Sequence, residues 1–548
     1  MTVRKNRKKQ ANLIAQGGIM AVAFLLANAC ILFRRIPLTA ILGDQGNSIY
    51  AAAFGVFSFA CLIAAYGLPI AVSALLKVRL KQGQYKSVGK VMRIAFLYAT
   101  VVGSGLGVLL FFAGTLIAEY VMLEPLAALP LQALSVAVPI AAWNGVVRGF
   151  FMGSGARFPV VFSVLLEQGV TLGVGFPLSE YLRRYGQKVG ALLQNETAAL
   201  SYAILGFAGG VALGIALSFL FLLLVYPLAN VYYKKNGKEF GRRSEGMTVI
   251  PFFASLFAAF LSGLFLWGYV LPQQIAFRLL VRDSMKTTLI SQQWGMYYGK
   301  YKLFMALPLV LTIAMSATLQ SRIVSLNRRE QYQQTSDFIQ NVMQAVMIAV
   351  LPLSVMIGTL SGPLLATLFP QQNGQVASEL MLTGCLSAVL FAAAYVLTEA
   401  LRGMKKMASA LACGAMAFAF QMGALYVMLD IMQLDISGVL YADLLYAFVL
   451  TALLGASVRR RCRFRHGLLR SNVPAAVASA VMGVVLFGLT KALASVVSPP
   501  VLLIVGIVLG CVVYAAVLLM LRGVSERQLR LVPGGRWLCM AGKALRLL

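Results

Sequence analysis

Apolar residues along this chain neither alternate with polar ones nor recur only every third or fourth position. They come in long runs separated by short polar stretches. A helix needs about 20 mostly apolar residues to cross a hydrocarbon core about 30 Å thick. Only helices and closed barrels satisfy their backbone there, and unalternated runs exclude barrel strands. Such runs lie near residues 17–42, 47–74, 91–118, 127–152, 158–180, 197–228, 249–277, 303–325, 339–369, 378–401, 407–429, 436–457, 473–494 and 500–521. The pattern predicts an all-α integral membrane protein with about 14 transmembrane helices.

The N-terminal string Arg4-Lys5-Asn6-Arg7-Lys8-Lys9, followed by an apolar stretch and Ala27-Asn28-Ala29, imitates a cleavable signal peptide. The apolar run continues through Cys30-Ile31-Leu32-Phe33, so the segment reads as a retained first helix.

Composition narrows the class. Of 548 residues, 60% are hydrophobic and 12% charged, against about 25% charged in soluble domains, which excludes a soluble globular enzyme. The net charge of +30, from 47 Lys+Arg against 17 Asp+Glu, would suggest nucleic acid in a soluble chain. Laid onto the spans, however, most basic residues fall on one side: the N-terminus, the loops 77–93, 148–157, 234–243, 322–329, 402–406 and 459–470, and the tail from 522. By the positive-inside rule both termini are cytoplasmic, and this charge records topology with no nucleic-acid partner. Arg148 and Arg157 are read as loop charges in this scheme. Arg34, Arg35, Arg183, Arg184, Lys188, Arg278, Arg282, Lys286, Lys300, Lys302 and Lys491 break the rule. Charge within or beside hydrocarbon must face water, a partner or a substrate, so these are the better functional candidates.

Little catalytic chemistry is available. The single histidine, His466, sits in the basic run 459–470, which leaves metal sites and Ser-His-Asp or Cys-His catalysis without their central residue. The seven cysteines, Cys30, Cys61, Cys385, Cys413, Cys462, Cys511 and Cys539, show no CxxC spacing, and no phosphate-binding glycine loop occurs. The expectation is a transporter without catalytic residues, metal or cofactor.

Weak self-similarity divides the chain. Tyr66-Gly67-Leu68-Pro69 resembles Met305-Ala306-Leu307-Pro308, each helix leads to a basic loop containing Tyr85 or Tyr332, and Arg148-Gly149 and Arg402-Gly403 each close a helix. Two six-helix copies in the same orientation follow: residues 1–230 form an N-terminal lobe and 249–458 a C-terminal lobe, joined by a cytoplasmic linker at 231–248. A basic cytoplasmic loop at 459–471 then leads to 472–548, the last two helices and a tail.

Specific strings add a resemblance. Phe33-Arg34-Arg35-Ile36-Pro37-Leu38 with Gly43 and Gly46, Tyr66-Gly67-Leu68-Pro69-Ile70-Ala71-Val72-Ser73, Val147-Arg148-Gly149 through Gly153 with Pro159 and Glu167-Gln168, and Met296-Tyr297-Tyr298 leading to Ala306-Leu307-Pro308 occur in order. Together they resemble the stage V sporulation protein B and polysaccharide-biosynthesis family. That family lies in the superfamily of multidrug, oligosaccharidyl-lipid and polysaccharide exporters, with the MurJ-type lipid II flippases. The resemblance implies fourteen helices in two lobes and alternating access for an undecaprenyl-pyrophosphate-linked sugar or lipid II, in the bacterial plasma membrane, by a monomer in contact with membrane lipids. Thr171 stands where the family often has an arginine. No carboxylate lies between Glu245 and Asp283, where some flippases have an acidic residue of a sodium site on the seventh helix.

Six basic residues are the candidate substrate contacts: Arg34, Arg35, Arg278, Arg282, Lys300 and Lys302. Arg34 and Arg35 fall roughly 22–24 Å along the first helix, where they face a wet cavity or snorkel outward. An arginine fork suits phosphate oxygens. The family match favours Arg35 over Arg34. Lys302 lies close to where the flippases carry a substrate-binding arginine, and Arg278 and Arg282 fit a solvated loop as readily as a binding site. Glu167, about 14 Å into the fifth helix, is costly unless paired or protonated. It is the candidate coupling or cavity carboxylate, with a buried structural hydrogen bond as the other reading. A drug or cation antiporter of the same superfamily is the alternative function, although that branch typically stops at twelve helices. A membrane glycosyltransferase or polymerase would be expected to need a hydrophilic catalytic domain that these short loops lack.

Overall fold

The computed structural model describes residues 2–192, 194, 197–239, 249–282, 285–316, 319–327, 331–372, 374–460, 462, 472–493 and 496–521. The N-terminal basic cluster, most of the loop 459–471 and the tail beyond 521 lie outside the described residues or side chains. Among the described residues every regular element is helical. Among these described residues, eleven helices are long and apolar enough to span a bilayer, or twelve if the bent pair Pro125–Ser135 and Ala137–Ser154 is one span. The all-α membrane class read from the sequence is the one observed.

The fourteen expected crossings are compatible with this set. Leu32–Lys81 is 50 residues long, about 75 Å of helix, or more than two hydrocarbon cores. It is broken at Gly43, whose φ of 63° is left-handed and natural only to glycine. Asn47 secures the break: its Nδ2 donates to the Gly43 carbonyl at 2.6 Å, and Thr39 Oγ1 donates to its Oδ1 at 3.2 Å. Lys302–Ser316, continued by Leu319–Asn327, is a further helical passage in two short pieces.

The chain packs as two compact units, Met1–Gly299 with Leu425–Asp435, and Lys300–Ala424 with Ile436–Leu548. This division differs from the one drawn at 231–248. Residues 249–299 pack with the first unit because Val249–Gly263 lies on Gly67–Lys81 and Thr287–Met296 lies on the helix containing Gly43.

Glycine seams hold the first unit. Gly206, Gly210, Gly214 and Ser218 recur every fourth residue of Ala198–Glu239 and face a stripe of Glu167, Thr171, Gly175 and Ser179 on Arg157–Leu192. A Cβ on Gly210 would lie 2.2 Å from Gly175 Cα, and one on Gly214 2.7 Å from the Glu167 carbonyl oxygen. Ser179 Oγ closes the seam by donating to the Ala203 carbonyl at 2.8 Å. A second stripe, Gly145, Gly149 and Gly153, packs on Leu68, Pro69, Val72 and Leu76. Lipid tails are as apolar as these side chains, so close approach of small residues replaces hydrophobic burial as the force between membrane helices.

In the second unit, Tyr332–Thr359 and Gln375–Gly403 form the central pair, and Lys302–Ser316 packs on both. The last two helices, Val473–Leu493 and Pro499–Met520, pair with each other and attach through Leu360, Met482 and Leu486.

Replacing Gly210 with Val forces the seam apart and should lower stability by about 1–3 kcal/mol, measured as a lower melting temperature in detergent. Gly173→Ala, whose Cβ meets nothing within 4 Å, should leave it unaltered; equal melting of wild type and Gly210→Val would contradict the seam.

Candidate functional site

The first unit gathers charge around its broken first helix. Arg35 is 8% exposed, with its guanidinium 4.1 Å from the Tyr50 ring centroid and 4.9 Å from that of Tyr298. Tyr50 stacks on Phe54 at 4.1 Å, and both approach Phe207. Arg34 is half-buried and lies 5.7 Å over the Phe207 ring, and its Nε has no hydrogen-bond partner. The aromatic faces attract both cations without discharging them, and among the described residues no carboxylate forms an ion pair with either.

Glu167 is paired, and its partner is Arg148 at 2.7 Å, each side chain about one-fifth exposed. The positive-inside pattern alone reads Arg148 as a loop charge. The structure corrects this: it lies within the helix Ala137–Ser154, and its Nε donates to Ser163 Oγ at 3.1 Å and its Nη2 to Ser218 Oγ at 2.9 Å. Asn144, one turn earlier, donates to the same Ser218 oxygen at 3.2 Å. The pair sits at the end of the glycine seam, where Thr171 Oγ1 donates to the Glu167 carbonyl at 2.8 Å. Glu167 is within electrostatic reach of Arg34 and Cys61.

Arg278 does not lie on a solvated loop. It is 2% exposed and closes a buried staple within the first unit. Nη1 donates to the carbonyls of Met122 and Leu123 at 2.8 and 3.0 Å, and Nη2 to Ser48 Oγ at 2.5 Å and Glu124 Oε2 at 2.8 Å. Ser291 donates to the same carboxylate oxygen at 2.8 Å. The turn it clamps contains Leu123 at φ 48°, a conformation unusual for a side-chain-bearing residue. With both Nη groups committed, Arg278 holds this turn and presents only a buried Nε elsewhere.

In the second unit, Lys302 Nζ donates to Asp443 Oδ2. Asp443 is fully buried on Asp435–Arg459, and the ammonium also lies 5.6 Å from the Phe391 ring centroid. Lys300 is fully buried. Arg282 is exposed at the end of Val270–Val281. Of the sequence candidates, the structure thus brings Arg34, Arg35 and Glu167 into one cluster and puts Arg278 in a separate staple of the same unit. Glu399 and Arg402 pair locally, as their spacing predicts.

Sequence reasoning missed Arg148, Glu124, Asp443 and the aromatic set Tyr50, Phe207 and Tyr298. Asp443 carried a readable signal, being an acid inside the apolar run 436–457. Arg148 carried another, since Asn144 precedes it by one turn and Gly145, Gly149 and Gly153 mark that helix as packed.

This architecture is that of a multi-pass helical membrane protein, and comparison with known proteins narrows its class. No protein-family model matches the chain. Stage V sporulation protein B of Bacillus subtilis (strain 168) is 25% identical over 291 residues, 52% of this chain and 53% of that protein, so the chain matches about half the length of this relative. Lipid II flippase MurJ of the same organism is 21% identical over 483 residues, 82% of this chain and 83% of that one. Among solved structures, lipid II flippase MurJ in its inward closed conformation superposes with a TM-score of 0.63 at 13% identity, covering 91% of this chain and 97% of that one. An inward-facing multidrug resistance MATE family transporter of the MOP superfamily gives 0.59 at 15% identity, covering 79% and 98%. The likeness read from the motifs is thereby matched by relatives named for that family and by solved structures sharing its fold. Of these proteins, MurJ is named a flippase and the MATE protein a transporter.

Breaking one partner of a buried ion pair leaves the other charge uncompensated. Glu124→Gln and Arg278→Met should each destabilise the protein by about 3–5 kcal/mol. The double variant Glu124→Leu/Arg278→Met should recover much of that loss. Additive melting-temperature losses in the double variant would contradict the staple.

Proposed function

We propose that the protein is a flippase: it carries lipid II, or another undecaprenyl-pyrophosphate-linked polysaccharide unit, from the inner to the outer leaflet of the bacterial plasma membrane. It does so by alternating access, as a monomer with both termini cytoplasmic, making and breaking no covalent bond. The observation that carries this reading is the pair Arg34 and Arg35, two cations within an apolar helix with no ion-pairing carboxylate among the described residues. A pyrophosphate supplies the missing negative charge, and arginine presents a fork of donors matched to its oxygens. Arg34, half-buried, meets the head group, while Arg35 is held in place by Tyr50 and Tyr298. Glu167 is the coupling carboxylate of this reading, and Lys302, held by Asp443, is the second unit's candidate contact. The name of one curated relative, lipid II flippase MurJ, supports the reading.

A drug or cation antiporter is the second reading, favoured by the likeness to a MATE transporter. Two arginines without a counter-charge repel a cationic drug, and the matched MATE chain leaves about a fifth of this chain uncovered where MurJ leaves about a tenth.

Reconstitution into liposomes with labelled undecaprenyl-pyrophosphate sugars, read by leaflet accessibility, tests the proposal. Wild type should translocate the label, and Arg34→Ala, Arg35→Ala and Lys302→Ala should each slow it by about tenfold or more, the worth of one charge-assisted hydrogen bond. Translocation no faster than in protein-free liposomes, across several head groups and with an imposed ion gradient, would refute the reading.

A further inference from the structure

The geometry points to Arg148 as a positioning residue: it holds the Glu167 carboxylate away from Arg34 and so keeps the Arg34 guanidinium open to an anionic head group. This rests on the flippase reading and adds to it the residue that keeps the binding cation from being quenched by the protein itself.

Five observations carry it. The cluster contains three guanidinium groups, Arg34, Arg35 and Arg148, but Glu167 is the only carboxylate ion-paired with any of them among the described residues. A carboxylate in a low-dielectric interior pairs with whichever cation it can reach. Glu167 is engaged by Arg148, which is itself fixed by two serines, Ser163 and Ser218, from the two helices of the glycine seam. Arg34 lies over Phe207, and the Glu167 backbone packs against Gly214 of the same helix, two turns along. Glu167 is within electrostatic reach of Arg34 from where it stands. Arg34 Nε, by contrast, has no hydrogen-bond partner at all. Arg35 is no competitor, being sandwiched between two tyrosine rings. Loss of Arg148 would therefore release Glu167 toward Arg34, forming an internal salt bridge where the substrate phosphate should bind.

A suppressor cycle in nanodiscs, with undecaprenyl pyrophosphate as the probe, separates this from direct substrate contact by Arg148. Arg148→Ala should weaken binding about tenfold or more. Arg148→Ala/Glu167→Gln, which removes the quenching carboxylate as well, should return affinity to within about threefold of wild type. Adding Arg34→Ala should abolish that rescue. Arg148→Lys retains a cation for Glu167 and should bind better than Arg148→Ala, so the inference stays testable if the alanine variant folds poorly; a lysine variant as weak as the alanine one counts against it. If Arg148 touched the phosphate, or served packing alone, the double variant would bind no better than Arg148→Ala, and that result would overturn the inference while leaving the flippase reading in place. A wild type that does not bind the probe at all would overturn both.

Discussion

Charge inside a helix bundle that faces lipid must be neutralised, solvated or used, and the architecture of this protein follows from how each charge meets that requirement. Glu124 takes Arg278, Glu167 takes Arg148 and Asp443 takes Lys302. Each pair joins two different elements of the chain, so each also fixes tertiary structure. Arg278 binds a turn, a carboxylate and Ser48 at once, and Ser291 donates to the same carboxylate. Arg34 and Arg35 remain as cations surrounded by aromatic faces, and the first unit thereby has an excess of positive charge at one place.

Backbone packing makes that place possible. The seam of Gly206, Gly210 and Gly214 against Gly175 brings two long helices close enough for Ser163 and Ser218 to reach the same guanidinium. The break at Gly43 separates the segment bearing Arg34 and Arg35 from the one bearing Tyr50 and Phe54, and it lets the second fold back so that Tyr50 covers Arg35. Geometry and charge are therefore set by the same small residues.

Much of this was legible in the chain because the membrane imposes a one-dimensional rule: apolar runs mark spans, and the residues that break the runs mark sites. Glu167, Arg34 and Arg35 were singled out on that ground. The partners were not legible, because the pairs join residues far apart in sequence, such as Glu124 and Arg278 at 154 positions. Arg148 was hidden for a different reason. It stands less than two turns from a helix end, with Arg157 following at the start of the next helix, where the positive-inside rule already accounts for it, and only helix phase with Asn144 and the glycine stripe distinguishes it from a loop charge. Arg278 and Arg282 look equivalent four residues apart, yet one is buried in a staple and the other is exposed.

On the flippase reading, the uncompensated charge of Arg34 and Arg35 selects a negatively charged lipid head. The most direct test of this selection is the affinity of the protein in nanodiscs for undecaprenol, undecaprenyl phosphate and undecaprenyl pyrophosphate, compared with Arg34→Ala/Arg35→Ala. Affinity should rise with head-group charge in the wild type, and this dependence should flatten in the double variant. Equal affinity for all three lipids in the wild type, or an unchanged charge dependence without the two arginines, would contradict it.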